Sequence, residues 1–316
     1  MASEMTRPVL LYACAGVDTA AWLEALRCEL PQVELRVWPD AGNLADIQFA
    51  FVWRYPPGML ARLPKLRAIF SLGAGVESIL RDPELPREVP LVRMVDPALA
   101  IGMNEFVLMC VLHYHRQMDV HAENQRQRTW SRLVPPLPQD RRVGILGLGE
   151  LGGLCAGTLV KHGFDVAGWS RTARAIEGVH TFAGVEQLPE FLRRTEILVC
   201  LLPLTPSTEN IINNANLAHL PRGAYFINVA RGQHVVDADL IAALDSGQLA
   251  AATLDVFREE PLPAEHPFWV HRRITVAPHI AAITQVKTAA RTLAANLNRC
   301  LAGDAPANVV DRRRGY

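Results

Sequence analysis

Residues 142–162, "RVGILGLGELGGLCAGTLVKH", leave a chain few ways to fold. A short apolar run reads as a buried strand, and the pattern behind it is helical until Gly163, where a C-terminal cap is expected. Between the two, Gly147, Gly149 and Gly152 are spaced G-x-G-x-x-G. In that position the three glycines permit, in turn, a tight turn, close approach of backbone to a pyrophosphate, and close packing of helix on strand. The pyrophosphate would rest on the helix N-terminus, where unpaired N–H groups and the helix dipole favour an anion. Glu150 and Leu151, inside the turn, join the three glycines in the expected dinucleotide-binding set. A strand–turn–helix unit of this kind belongs in a parallel sheet with crossover helices.

The rest of the chain keeps that rhythm. Ahead of the glycine turn, "VLLYA", "TAAWLEALRCEL", "VELRVW", "IQFAFVW", "LRAIFSLG" and "LVRMV" alternate strand-like and helical runs. A long apolar helix is expected over residues 100–117, and the polar, proline-containing stretch "HAENQRQRTWSRLVPPLPQDR" after it reads as an extended surface segment. A second alternation then places strands near 143–146, 165–169, 197–202, 225–228, 251–255 and 274–276. The expected fold class is α/β, with two doubly wound parallel-sheet units. The chain is 316 residues long and half hydrophobic, enough for two cores, and no repeat of solenoid length occurs in it.

Lys plus Arg equals Asp plus Glu at 32 each, so no net field draws the protein to nucleic acid or anionic lipid. The six cysteines lie far apart, without a C-x-x-C pair or zinc-ligand spacing, and read as small core residues of a reduced protein. The longest apolar run, around "ILVCLLPL", falls short of the roughly 18 residues a membrane span needs, so a cytoplasmic location is expected. His113 and His115 in "HYHR" stand two apart and would face different sides of a helix, so no metal is expected.

The polar residues that follow the expected strands carry the chemistry. After 165–169, where an NAD site would present an acid to the ribose hydroxyl, stand Ser170 and Arg171, with Arg174 close behind. A hydroxyl and a guanidinium suit a 2′-phosphate, and the other reading is a solvated turn with incidental arginines. Arg231 in "NVARG", Glu259 and Glu260 in "DVFREEPLP" and His279 in "VAPHI" come after three successive strands. Taken alone, His279 could be a loop histidine bonding a carbonyl. Beside a carboxylate and a nucleotide site it can serve as a proton donor. With Arg231 to grip a carboxylate and its neighbouring carbonyl, the set suits reduction of a 2-oxo acid. In the first half, "SLGAGVES" follows a strand, and the N–H groups of Ala74, Gly75 and Val76 could form a small anion nest or only a turn.

These motifs resemble the D-isomer-specific 2-hydroxyacid dehydrogenases: "LGAGV", "GLGELG", "LLPLTPST", "NVARG", "DVFREEPLP" and "APHIAA" stand in family order and spacing over nearly the whole chain. Within that family, "FVWRYPP", "LGAGVESIL", "VLHYHR", "GWSRT", "HVVDADLIAALDSGQL" and the tail "DRRRGY" resemble the glyoxylate/hydroxypyruvate reductase A branch. The resemblance implies two Rossmann-like domains, the first flavodoxin-like and completed by the C-terminal helix. Residues 1–98 plus 283–316 would form the substrate domain and 99–282 the NAD(P)-binding domain, with hinges near 96–101 and 281–284. It implies that Arg231 binds and polarises a small 2-oxo acid, that Glu260 orients His279, and that His279 protonates the alkoxide. Trp53 would border the substrate pocket, and Trp130 would reach the partner's active site. Leu202, Pro203, Leu204 and Thr205, with Val229, Ala230 and Asp255, would line the cofactor, Asp255 holding the nicotinamide amide. The implied cofactor is NADPH, NADH serving less well, and the implied assembly is a homodimer on the long helix. Two alternatives stay open: a reductase of another 2-oxo acid, and a nucleotide-sensing co-repressor of the same fold.

Overall fold

A computed structural model describes residues 7–313 and 315, so the tail "DRRRGY" lies partly outside the described residues. The chain forms two compact units, one running to Leu99 and resuming at Thr284, the other Ala100–Ile283.

In the first unit, β1 (Val9–Cys14), β3 (Ile47–Trp53) and β4 (Ala68–Ser71) are apolar runs that the sheet buries almost completely, while β2 (Glu34–Val37) and the two-residue β5 (Leu91–Val92) close its edges. All pairs are parallel, in the order β2-β1-β3-β4-β5, the flavodoxin-like order. The helix α1 (Thr19–Glu29) starts where the Asp18 carboxylate accepts from the Ala21 N–H, and it buries Trp22 and Leu26. The C-terminal helix Val286–Ala302 belongs to this unit because Ala289, Ala290, Leu293, Leu297 and Cys300 join the same core as Trp22 and Leu26. A short α2 (Glu77–Leu80) follows the glycine turn after β4.

The helix α3 (Pro97–His115) gives most of its length to the second unit, which continues with α4 (Met118–Arg126), β6 (Arg142–Leu146), α5 (Glu150–Lys161), β7 (Asp165–Ser170), β8 (Val179–Ala183), α6 (Leu188–Arg193), β9 (Ile197–Cys200), α7 (Asn214–Leu217), β10 (Ala224–Asn228), α8 (Asp237–Asp245), β11 (Leu249–Leu254) and β12 (Ile274–Val276). Its seven strands are parallel in the order β12-β11-β10-β9-β6-β7-β8. Strand order reverses between β6 and β9, the switch point where ligands of open parallel sheets bind.

Three local expectations change. Residues 121–126 are helical rather than extended: α4 has no buried residue and thus no apolar stripe, and its Arg126–Glu123 pair sits one turn apart at 2.6 Å. The strand β8 escapes the hydrophobic pattern because it is an edge strand with no fully buried position. Finally, α3 is long and apolar enough to cross a membrane by length and composition, so it exceeds the run around Cys200. Its inner residues Val107, Val111 and Tyr114 are buried in the core, and Tyr114 stacks on Tyr225 at 4.4 Å and bonds the Thr253 hydroxyl at 2.6 Å.

Candidate active site

The glycine turn after β6 is a steric construction. Gly147 has φ +103°, and a Cβ there would meet the Leu201 carbonyl oxygen at 2.8 Å. On Gly152 a Cβ would stand 1.8 Å from the Gly147 oxygen, so helix and turn could not close. Gly149, the N-cap of α5, has nothing within 4 Å of a Cβ position. Two glycines are therefore demanded by the fold, and the third keeps open the face where a pyrophosphate would lie against backbone. The first helical bond runs from the Gly153 N–H to the Gly149 oxygen at 2.8 Å, leaving earlier N–H groups directed out of the helix end. The residues present fit a dinucleotide.

Around this cradle, β7 ends at Ser170, whose hydroxyl donates to the Thr172 oxygen at 2.8 Å, and Arg171 and Arg174 follow as exposed side chains. The loop after β9 folds on itself. The Thr208 hydroxyl donates to the Pro203 oxygen at 2.7 Å and accepts from the Thr205 N–H at 2.9 Å, while Leu202 is buried.

Arg231 follows β10 in a loop whose backbone is braced by two side chains, Asn228 and His234. Asn228 accepts from the Ala230 N–H at 3.1 Å and donates to the Arg231 oxygen at 3.0 Å. The Arg231 N–H reaches Nδ1 of His234 at 3.2 Å. Val229 and Ala230 are buried, and a Cβ on Gly232 would fall 1.9 Å from the Phe257 carbonyl carbon, so no larger residue fits after the arginine.

Asp255, just past β11 and buried, ties the next loop down. One carboxylate oxygen accepts from the Ile280 N–H at 2.7 Å and the other from the Ala281 N–H at 3.0 Å. Burial pushes its carboxyl up although both N–H groups favour the anion. Its own carbonyl takes the His279 N–H at 2.9 Å, so His279 is pinned on a left-handed backbone, φ +56°. A non-glycine residue there costs on the order of 1 kcal/mol or more, a strain typical of working positions. The outcome is the His279 Nδ1 to Glu260 Oε2 contact of 2.7 Å. Burial raises the Glu260 carboxyl, but the bonds from His279 and the Phe257 N–H and the charges of His279 and Arg231 outweigh it and hold the group below its ordinary value. With Nδ1 committed to the carboxylate, Nε2 is the ring nitrogen left to exchange a proton, on a side chain that is 42% exposed. Glu259 is exposed and does not make the contact.

In the first unit, the glycine turn is shaped by packing as well. A Cβ on Gly73 would meet the Trp53 ring at 2.5 Å. The N–H groups of Ala74, Gly75 and Val76 donate to no carbonyl or side chain among the described residues. Trp130 is 90% exposed. Residue spacing carries no signal for Asn228, His234 and Thr208, whose partners are backbone atoms: Asn228 and Thr208 bond the backbone of their own loops, and His234 reaches the Pro203 oxygen of another.

A sheet that reverses order beside a glycine cradle, with an arginine, a carboxylate and an imidazole held on its later loops, is the build of a dinucleotide-dependent oxidoreductase. Residues 108–281 match the model of the D-isomer specific 2-hydroxyacid dehydrogenase NAD binding domain. The chain is 45% identical over 304 residues to glyoxylate/hydroxypyruvate reductase A of Yersinia enterocolitica, covering 95% of this chain and 97% of that protein. To the Serratia proteamaculans protein of the same name it is 47% identical over 300 residues, covering 93% and 96%. Two solved structures superpose closely. A D-isomer specific 2-hydroxyacid dehydrogenase from Xanthobacter autotrophicus Py2, in complex with NADPH and MES, gives a TM-score of 0.94 at 44% identity, covering 98% of this chain and all (100%) of that one. The NADPH-dependent glyoxylate/hydroxypyruvate reductase from Sinorhizobium meliloti, in complex with NADP and sulfate, gives 0.92 at 38%, covering 98% and 100%. The chain belongs to the D-isomer specific 2-hydroxyacid dehydrogenase family, on the branch that holds these reductases.

Proposed function

We propose that the protein reduces glyoxylate and hydroxypyruvate to glycolate and D-glycerate with NADPH. The observation that carries this reading is the 2.7 Å His279–Glu260 pair on a strained, pinned backbone in the same unit as the glycine cradle and Arg231. In this reading Arg231 grips the 2-oxo acid through carboxylate and carbonyl together and stabilises charge that develops on the oxygen. Glu260 keeps the imidazole in one orientation, and Nε2 of His279 delivers the proton to the alkoxide. When bound, NADPH supplies the hydride. The cradle of Gly147, Gly149, Glu150, Leu151 and Gly152 takes its pyrophosphate. Ser170, Arg171 and Arg174 take the 2′-phosphate and make NADH the weaker partner. Leu202, Pro203, Leu204, Thr205, Val229 and Ala230 line its path. Both oxygens of Asp255 already serve backbone N–H groups, and a remaining lone pair is what the nicotinamide amide would use.

The first unit serves as the substrate domain, with Trp53 and the N–H groups of Ala74, Gly75 and Val76 as its substrate-binding groups. The second serves as the coenzyme domain. The relatives' shared name and the Sinorhizobium structure's bound NADP support the reading. To test it, NADPH oxidation is followed with glyoxylate, hydroxypyruvate, pyruvate and phenylpyruvate. The first two should be the best substrates, and a preference for phenylpyruvate would contradict the small pocket.

The working form is a cytoplasmic homodimer built on α3. Ile101, Met109 and Leu112 are exposed at helical spacing on this helix, and Trp130 and Val134 stand out from the segment after it, giving an apolar surface of the kind obligate dimers bury. Trp130 would then stand against the partner's active site. Light scattering at micromolar concentration should read twice the chain mass, and a single chain mass would refute the dimer.

A further inference from the structure

His234 is a fully buried histidine to which the reaction just described assigns nothing. It ends the 3-10 turn Gly232–His234 after β10. Its Nδ1 lies 3.2 Å from the Arg231 N–H nitrogen and 3.0 Å from the Arg231 oxygen, and its Nε2 lies 3.3 Å from the Pro203 oxygen. The far end decides the tautomer. A carbonyl can only accept, so Nε2 carries a proton, and in the neutral ring Nδ1 is then the acceptor for the Arg231 N–H. One neutral tautomer thus satisfies both neighbours without burying a charge.

Those neighbours belong to different loops. Pro203 is in the loop after β9, and its carbonyl also takes the Thr208 hydroxyl. Arg231 is in the loop after β10, its carbonyl already held by Asn228. The His234–Pro203 bond spans 31 positions of sequence.

We infer that His234 is a positioning residue that sets the Arg231 peptide with one ring nitrogen and the Pro203 loop with the other, so that substrate grip and cofactor path are aligned through a single ring. The kinetic part of this inference rests on the reading of Arg231 as the substrate's partner and of Pro203 as lining the cofactor.

The two ends can be removed separately. Asparagine places an amide oxygen where Nδ1 stands, and glutamine places an amide nitrogen where Nε2 stands. His234→Asn therefore keeps the acceptor for Arg231 and loses Pro203, and His234→Gln does the reverse. Three readouts are taken for both variants: hydrogen exchange at the Arg231 amide in the ligand-free protein, KM for glyoxylate, and the Kd of NADPH by fluorescence titration. For His234→Gln the expectation is faster exchange at Arg231 and a KM for glyoxylate raised about tenfold, the worth of one lost buried hydrogen bond, with the NADPH Kd within twofold. For His234→Asn the expectation is retained Arg231 protection, a weaker NADPH Kd and a nearly unchanged KM. Both variants moving both constants in the same proportion would overturn the inference, as would an unchanged Arg231 exchange rate in His234→Gln.

One measurement needs no folded variant: the imidazole ¹⁵N shifts of the unmutated, ¹⁵N-histidine-labelled protein should report the Nε2–H tautomer for His234, and an Nδ1–H tautomer would overturn the assignment. If the unmutated protein fails to oxidise NADPH with glyoxylate, the functional reading fails, and the exchange and ¹⁵N measurements still decide what His234 holds.

Discussion

Two strand-end loops of the second unit are built in opposite ways. After β10, Val229, Ala230, Gly232 and His234 are all buried, and the Arg231 peptide is bonded on both sides by Asn228 and His234. After β7, the segment 171–174 is exposed, and beyond the strand the Ser170 hydroxyl caps its own turn at 2.8 Å. On the proposed reading, the difference matches what each loop would recognise. A reacting carbonyl has to be placed within a fraction of an ångström, and an error of about 1 Å can cost roughly a hundredfold in rate, so an arginine proposed to hold it would gain from a peptide fixed in advance. A phosphate is a compact dianion that a long cationic side chain can find from several rotamers, so arginines proposed to bind one would need no such frame. In that reading the unit uses the same structural position twice, rigid where bonds would change and open where charge alone would be read.

The sharpest break of this comparison concerns the glycine cradle, where fold and ligand demands lie in adjacent turns. Gly152→Ala should abolish stable folding or lower the melting temperature severely, because its Cβ would overlap the Gly147 oxygen at 1.8 Å. Gly149→Ala should melt like the unmutated protein and bind NADPH poorly, since no protein atom lies within 4 Å of the new methyl. Equal melting losses in the two would mean that neither glycine is reserved for a ligand.

A smaller effect is expected on the open loop. Arg171→Ala should raise the KM for NADPH about tenfold, the value of one charge-assisted hydrogen bond, and leave the KM for NADH nearly alone. Its melting temperature should not change, in contrast to any truncation in the loop of Arg231. Equal loss with both cofactors would remove the 2′-phosphate from the account.

The smallest effect follows from Glu260. Its carboxyl is held below the ordinary value in the folded protein, so its contribution to stability is complete above about pH 4.3, the ordinary glutamate value, and is lost as pH falls through the folded value. The melting temperature of the unmutated protein should therefore exceed that of Glu260→Gln by at most a few degrees near neutrality, and the gap should close on acidification. A gap that widens at low pH would mean that the carboxyl is stabilised in its neutral form.

What could be read from sequence divides by the kind of constraint. Gly147 and Gly152 were legible because close backbone approach leaves glycine no substitute, and His279 because it directly follows a β-branched strand and a proline. The edge strand β8 and the helix α4 were not, since neither buries a full side and so neither imprints a hydrophobic period. Asp255 was named for a ligand, and its present partners, the Ile280 and Ala281 N–H groups, emerged only when the strand end and the loop were brought together in space. His234 is hidden for the same reason, its Pro203 partner lying 31 positions away, and Asn228 because its partners are backbone groups of its own loop. A side chain whose partner is backbone leaves no complementary residue to be found.

The central claim, that His279 is the proton donor of a pre-set site rather than a loop histidine, is tested most directly by single-turnover decay of bound NADPH after mixing His279→Ala with saturating glyoxylate. A positioned general acid contributes about 10² to 10⁴ in rate, so decay should slow by that order while the NADPH Kd stays within a few-fold. Decay within a few-fold of the unmutated protein would contradict the account, leaving His279 with no part in the chemistry.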